Sequence, residues 1–144
     1  MERTLILLKP DAVQKQVCGK VIARFEEAGF RIVGCKMMEL SSEILREHYA
    51  HIADKPFYPS VETFMQGAPV IAMVLEGENI IERIREMLGV TDCCEAAPGT
   101  IRAEYGSKEP GKNKMCNIAH ASDGKEAAEM EMKRFFHDSE ILSW

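Results

Sequence analysis

Thr4 to Leu8 read TLILL, an uncharged run of strand formers that Pro10 ends, because the residue before a proline is pushed out of the helical region. Lys9 is thereby left at a strand end. "GKVIARFEEAGF" then sets Val21, Ile22, Phe25 and Ala28 at helical spacing, with Gly29 as the C-terminal stop. "FRIVGCKMMEL" predicts a strand with Ile32, Gly34, Lys36 and Met38 on one face and Val33, Cys35 and Met37 on the other. "SSEILREHYAHI" opens a helix on Ser41 or Ser42 and carries Ile44, Leu45, His48, Tyr49 and Ile52 along one stripe. The two prolines of "DKPFYPS" make a connector, and a short helix near "VETFMQG" follows.

"PVIAMVLEG" predicts a central strand, and "ENIIERIREMLG" is the clearest helix, its stripe formed by Ile80, Ile81, Ile84, Met87 and Leu88 and its end by Gly89. From Gly89 to about Lys114 periodicity disappears and a long loop is expected, the kind of segment that carries function. "MCNIAH" resumes as a strand, and Asp123 or Ser122 caps a last helix with Ala128, Met132, Phe135 and Phe136 inward. Strand, helix, strand, helical insertion, strand, helix, loop, strand and helix is the order of two interleaved βαβ halves. At 144 residues, without repeats or low-complexity tracts, the chain is expected to be one domain, 1–144.

Net charge of -5 argues against broad nucleic-acid binding, which depends on phosphate neutralisation by Lys and Arg. No apolar run is long enough to span a membrane and the N-terminus does not resemble a signal sequence, so a cytoplasmic protein with no membrane partner is expected. The five cysteines lack C-x-x-C spacing and are expected to be reduced thiols, mostly filling the core.

In "NIAHASDG" the smallest side chains surround His120, immediately before the expected helix start. Imidazole is nucleophilic near neutral pH without a deprotonating partner, and the positive end of a helix favours an anion, so a phosphoryl group would suit this place. Glu131, on the shoulder of the last helix's apolar stripe, either reaches inward to orient the ring or faces solvent. Lys9, Arg85 and Arg102 are candidate phosphate cations. Neither G-x-x-x-x-G-K-[ST] nor G-x-G-x-x-G is present. A Ser122–His120 dyad is too close in sequence for mutual aim, and His48 with His51 lacks a third zinc ligand.

N-x-x-H-[GA]-S-D is the active-site signature of nucleoside diphosphate kinases, and the resemblance extends through "TLILLKPDAV", "HYAHIADKPFYPSV", "GAPVIAMVLEGENII", "REMLGVTD" and "PGTIRAEYG" in order. The chain therefore resembles that family over almost its whole length. The resemblance implies an α+β fold, a ferredoxin-like four-stranded antiparallel sheet covered by helices over one face. It implies transfer of the γ-phosphate of ATP or another nucleoside triphosphate to nucleoside diphosphates, by a ping-pong route through phosphohistidine on His120, with Mg²⁺ on the donor phosphates. It also implies a homo-oligomer built from dimers, a tetramer or a hexamer.

By position in the family pattern, Lys9 and Asn117 contact the ribose and phosphate region, Tyr49 shapes the pocket beside the histidine, and Phe57 stacks on the base. Arg85, Thr91 and Arg102 hold phosphates, Ser122 lies close to His120, and Glu131 orients it. Asn113 of "GKN" competes with Asn117, whose three-residue offset from His120 requires a bend in the strand. Seventeen residues lie between Arg102 and His120, more than in the family, with the extra ones around "GSKEPGKNKMC". Asp92-Cys93 stands where many members have Asn-Pro, and Lys55 where an arginine is frequent. Two other classes share parts of this pattern: a noncatalytic module on the same sheet architecture, and a phosphatase-like or phosphocarrier histidine protein.

Overall fold

The computed structural model describes residues 1–107 and 116–144. Among these residues four strands, β1 (Glu2–Leu8), β2 (Arg31–Met38), β3 (Val70–Gly77) and β4 (Ala119–Ala121), form one antiparallel sheet in the order β2-β3-β1-β4. That is the ferredoxin-like order. The helices are α1 (Pro10–Gln14), α2 (Cys18–Glu27), α3 (Ser42–His48), α4 (Tyr58–Met65), α5 (Ile80–Leu88), α6 (Ile101–Tyr105) and α7 (Lys125–Phe135).

The apolar run of β1 is flanked by β3 and β4, and its side chains alternate between two cores. Ile6 and Leu8 pack with Val21 and Phe25 of α2 and with Ile80, Ile84 and Leu88 of α5. Leu5 and Leu7 pack on the other face with Leu45 of α3, Tyr58, Val61 and Met65 of α4, and Phe135. Helices therefore cover both faces rather than one, because a strand apolar at every position requires cover on each side.

Strand β2 departs from its simple alternation. A register shift between Ile32 and Gly34 is a β-bulge, so Ile32 joins the α2/α5 core while Val33 and Met38 join the α3/α4 core. Ser41, not Ser42, caps α3, its hydroxyl accepting from the Ile44 amide at 3.1 Å. Within the expected long loop a short helix forms, α6, capped by the Thr100 hydroxyl. Residues 108–115, including Asn113 and most of the extra stretch, lie outside the described residues. Among the cysteines only Cys93 is buried, Cys18 and Cys116 are half-buried, and Cys35 and Cys94 are exposed, so the expectation of core fillers holds for one of five. No helix among the described residues is long and apolar enough to cross a membrane.

Candidate active site

His120 sits on β4 opposite Leu7 of β1. The strand is only three residues long, and what precedes it is a tight reversal. Ile118 adopts φ +76°, and the Ala119 amide donates to the Asn117 carbonyl at 2.9 Å. This γ-turn is strained for a β-branched residue and persists because its surroundings hold it. The Ile118 amide donates to Asp11 Oδ2 at 3.0 Å, its carbonyl accepts from the Lys9 amide at 2.8 Å, and its side chain is fully buried. Here is the bend that Asn117 requires, and Asp11, missed by the sequence reading, braces it. In "KPDA" Asp11 stands just past the end of the first strand, and nothing in that run points to a partner so distant in the chain.

The bend turns Asn117 toward Lys9. Lys9 Nζ donates to Asn117 Oδ1 at 2.8 Å, and Asn117 Nδ2 donates to the Thr91 carbonyl at 3.1 Å. One amide thus ties the end of β1 to the loop after α5. Lys9 is only 5% exposed, and burial pushes its ammonium down to about 8, partly offset by Asp11. Arg102, on α6, donates to the carbonyls of Asn117 (3.2 Å), Gly89 (2.9 Å) and Ala119 (2.7 Å). Burial also lowers its pKa. Gly89 is fixed as glycine by φ +87° and by Thr100, whose hydroxyl would lie 2.7 Å from an added Cβ.

Glu131 reaches inward. Its Oε1 lies 2.9 Å from His120 Nε2 and accepts from the Ser122 hydroxyl at 2.7 Å, so one carboxylate oxygen joins the two residues that sequence proximity kept from meeting directly. Burial raises the Glu131 carboxyl, but the hydrogen bond and charge of His120 together with the Ser122 hydroxyl outweigh it, and the net shift is downward. The carboxylate fixes a proton on Nε2, which leaves the lone pair on Nδ1.

Two expectations fail here. Ser122 is committed to Glu131 and to β1, accepting from the Leu5 amide at 3.2 Å, and Asp123 lies 3.9 Å from Arg85, so neither caps α7. The N-cap is Gly124, without a side-chain cap. His120 meets α7 at Glu131, nearly two turns in rather than at its first turn. Fixed positive charge here comes from side chains.

An open cleft of about 920 Å³ is lined by Lys9, Tyr49, Arg85, Thr91, Arg102, Asn117 and His120, with Val90 and the carboxylates of Glu82, Glu86, Glu95 and Asp123 toward its edges. Tyr49 is half-buried, and burial pushes its phenol up to about 12. Phe57, just before α4, is 53% exposed and does not line this cleft. Ser122 and Glu131 stand behind His120 rather than in the cleft wall. Among the described residues His48, His120 and Glu131 hold three ligand-type atoms within 4.8 Å, whereas the His48/His51 pairing considered from spacing is not brought together with a third ligand. Two imidazoles and one carboxylate do not suit a hard cation such as Mg²⁺, which prefers oxygen ligands.

The sequence profile of the nucleoside diphosphate kinase family matches residues 2–141. A nucleoside diphosphate kinase of Rhodopirellula baltica is 44% identical over 144 residues, all of this chain and 91% of the relative. That of Pyrococcus abyssi is 45% identical over 143 residues, 99% of this chain and 89% of the relative. Among solved structures, the Aquifex aeolicus nucleoside diphosphate kinase superposes with a TM-score of 0.89 at 41% identity, covering 98% of this chain and 99% of that one. The halophilic enzyme from Halobacterium salinarum, in complex with CDP, gives 0.91 at 40% identity, covering 99% and 92%.

Proposed function

The chain belongs to the nucleoside diphosphate kinase family and is a phosphotransferase acting on nucleotides, and from that premise we propose that His120 Nδ1 is the atom that carries the phosphoryl group. The single observation that supports this reading most is the 2.9 Å contact between His120 Nε2 and Glu131, which leaves the other ring nitrogen with its lone pair at the cleft. In the first half-reaction the Nδ1 lone pair forms a bond to the γ-phosphorus of the donor as the bond to the β-bridging oxygen breaks, and the diphosphate leaves. In the second, a terminal oxygen of an acceptor diphosphate attacks and the nitrogen–phosphorus bond breaks. The positive charge on the ring in the intermediate is balanced by Glu131, which keeps Nε2 protonated.

Lys9, Arg85 and Arg102 neutralise the phosphate oxygens, Thr91 and Asn117 complete the phosphate and ribose contacts, Tyr49 bounds the space beside the ring, and Phe57 offers a stacking face to the base. Mg²⁺ enters as part of the triphosphate substrate, bound to its phosphates. Residues 1–144 act as one domain, in the cytoplasm, on ATP and other nucleoside tri- and diphosphates, within a homo-oligomer built from dimers.

Incubation with γ-labelled ATP and Mg²⁺ leaves acid-labile phosphate on the protein, any nucleoside diphosphate discharges it, and His120→Ala abolishes both. Discharge by water alone would move the protein to the phosphatase class, and absence of label on a folded protein to the binding modules.

A further inference from the structure

We propose that Arg134 and His48 form a positioning pair: Arg134 holds a second imidazole neutral against His120, which reserves the Glu131 carboxylate for the ring that carries the phosphoryl group. The proposal rests on the reading of His120 as carrier, and concerns two residues with no part in contacting substrate. His48 closes α3, is only 9% exposed, and stands edge-on to His120 with ring centroids 4.7 Å apart and planes at 84°. Tyr49 and Phe135 hold it in the same way, at 4.9 and 5.2 Å.

The charge state of His48 follows from hydrogen-bond chemistry. Arg134 Nη1 lies 2.9 Å from His48 Nδ1, and a guanidinium can only donate. Nδ1 must therefore accept, the ring's proton sits on Nε2, and an imidazolium, with N–H at both positions, would set donor against donor. Arg134 also forms an ion pair with Glu47, whose Oε1 lies 3.4 Å from its Nε without a hydrogen bond.

The groups facing His48 are Glu47, Tyr49 and His51 from its own segment, His120 from β4, and Glu131 and Arg134 from α7. Burial lowers its pKa most, His120 and Arg134 lower it further, and Glu131 opposes them, leaving it at about 3. Glu131 is thus a group that draws a proton onto His48. Were His48 to charge, two cationic rings would compete for a single carboxylate, because donor atoms of all three residues lie within 4.8 Å. Arg134 blocks that competition from the side of His48 away from the cleft.

The test uses the full chain and three measurements. Long-range proton–nitrogen spectra of the parent are expected to show His48 as the Nε2–H tautomer, without titration down to about pH 5. Arg134→Glu offers Nδ1 an acceptor in place of a donor, so His48 should titrate within the working range. The rate of His120 labelling at about pH 6 relative to about pH 8 should then fall about tenfold below the parent's ratio. Arg134→Lys keeps a cationic donor and should retain the parent's profile.

A parent His48 protonated on Nδ1 or titrating near its ordinary value overturns the proposal, as does an Arg134→Glu protein that labels with the parent's pH profile. If Arg134→Glu does not fold, the parent's tautomer and the Arg134→Lys profile decide. If the parent takes no label at all, the carrier reading fails, and the spectra still decide the state of His48.

Discussion

The floor and the rim of the cleft are built differently. On the floor Lys9, Arg102 and Asn117, and behind it Glu131 and Ser122, are buried or half-buried, and each has a named partner within the protein before any nucleotide arrives. At the rim, Arg85 is 56% exposed, with Asp123 at 3.9 Å, and outside the cleft's lining Phe57 has over half its surface in water. The floor is preorganised where charge must be met at fixed distances, so little reorganisation falls on the reaction itself. On the proposed reading the exposed side, Phe57 included, is left loose where an aromatic face suffices, since every base has a π surface. One cleft can thus be strict about phosphate and permissive about base.

The sharpest way to break this contrast is Lys9→Met. Removing a buried cation from the floor is expected to lower kcat/KM by about 10²–10³-fold. The same residue gives a pH signature. With its pKa depressed from 10.5 to about 8, Lys9 loses its proton above about 8 in the free enzyme, so kcat/KM of the parent should decline there. The sign for stability is the opposite. Between about 8 and 10.5 the unfolded chain binds the proton more readily than the folded one, so this group adds stability as pH rises through that window. Unfolding curves should show the parent gaining relative to Lys9→Met across it, by up to roughly 3 kcal/mol. No relative gain would mean that the ammonium is not desolvated and the floor not preformed.

Glu131→Gln comes next. It keeps the shape and removes the charge that balances the phosphorylated ring, so labelling of His120 should slow about 10²-fold while nucleotide affinity changes little. A change confined to affinity would place Glu131 at the rim. Arg102→Lys should cost about tenfold in kcat/KM, because a lysine donates to only some of the three carbonyls the guanidinium now joins, and thermal melting should record a loss of about 1–3 kcal/mol. Unaltered melting would show that those bonds do not hold the floor together.

Sequence and structure part company along the same line. Elements whose chemistry is local were legible: the Gly89 stop of α5, a serine cap at Ser41 or Ser42, the apolar stripes, and the strand order implied by their succession. The histidine was legible because its small neighbours are adjacent in the chain. The brace was not. Asp11 meets the Ile118 amide across 107 positions, and the left-handed Ile118 is a conformation that no local propensity favours. The Arg134–His48 contact, across 86 positions, was hidden too, since an arginine in "KEAAEMEMKR" reads as a solvated charge. The bulge at Ile32/Gly34 shifts faces without changing composition, so strict alternation misassigned Ile32.

Phe57→Ala tests the exposed side beyond the cleft's lining, and its expected effect is the smallest. An exposed ring that stacks only when a base arrives contributes on the order of 1 kcal/mol to binding, so KM should rise about fivefold for every nucleotide, with kcat unchanged. Melting should shift little, because a ring over half exposed buries little on folding. The pattern across bases is the informative part. Equal losses for purine and pyrimidine nucleotides sustain a permissive rim. Unequal losses would mean that the rim reads base identity through Phe57, and kcat falling in step with KM would mean that the base helps to set the phosphate on the floor. In either case the division between a strict floor and a loose rim would have to be redrawn.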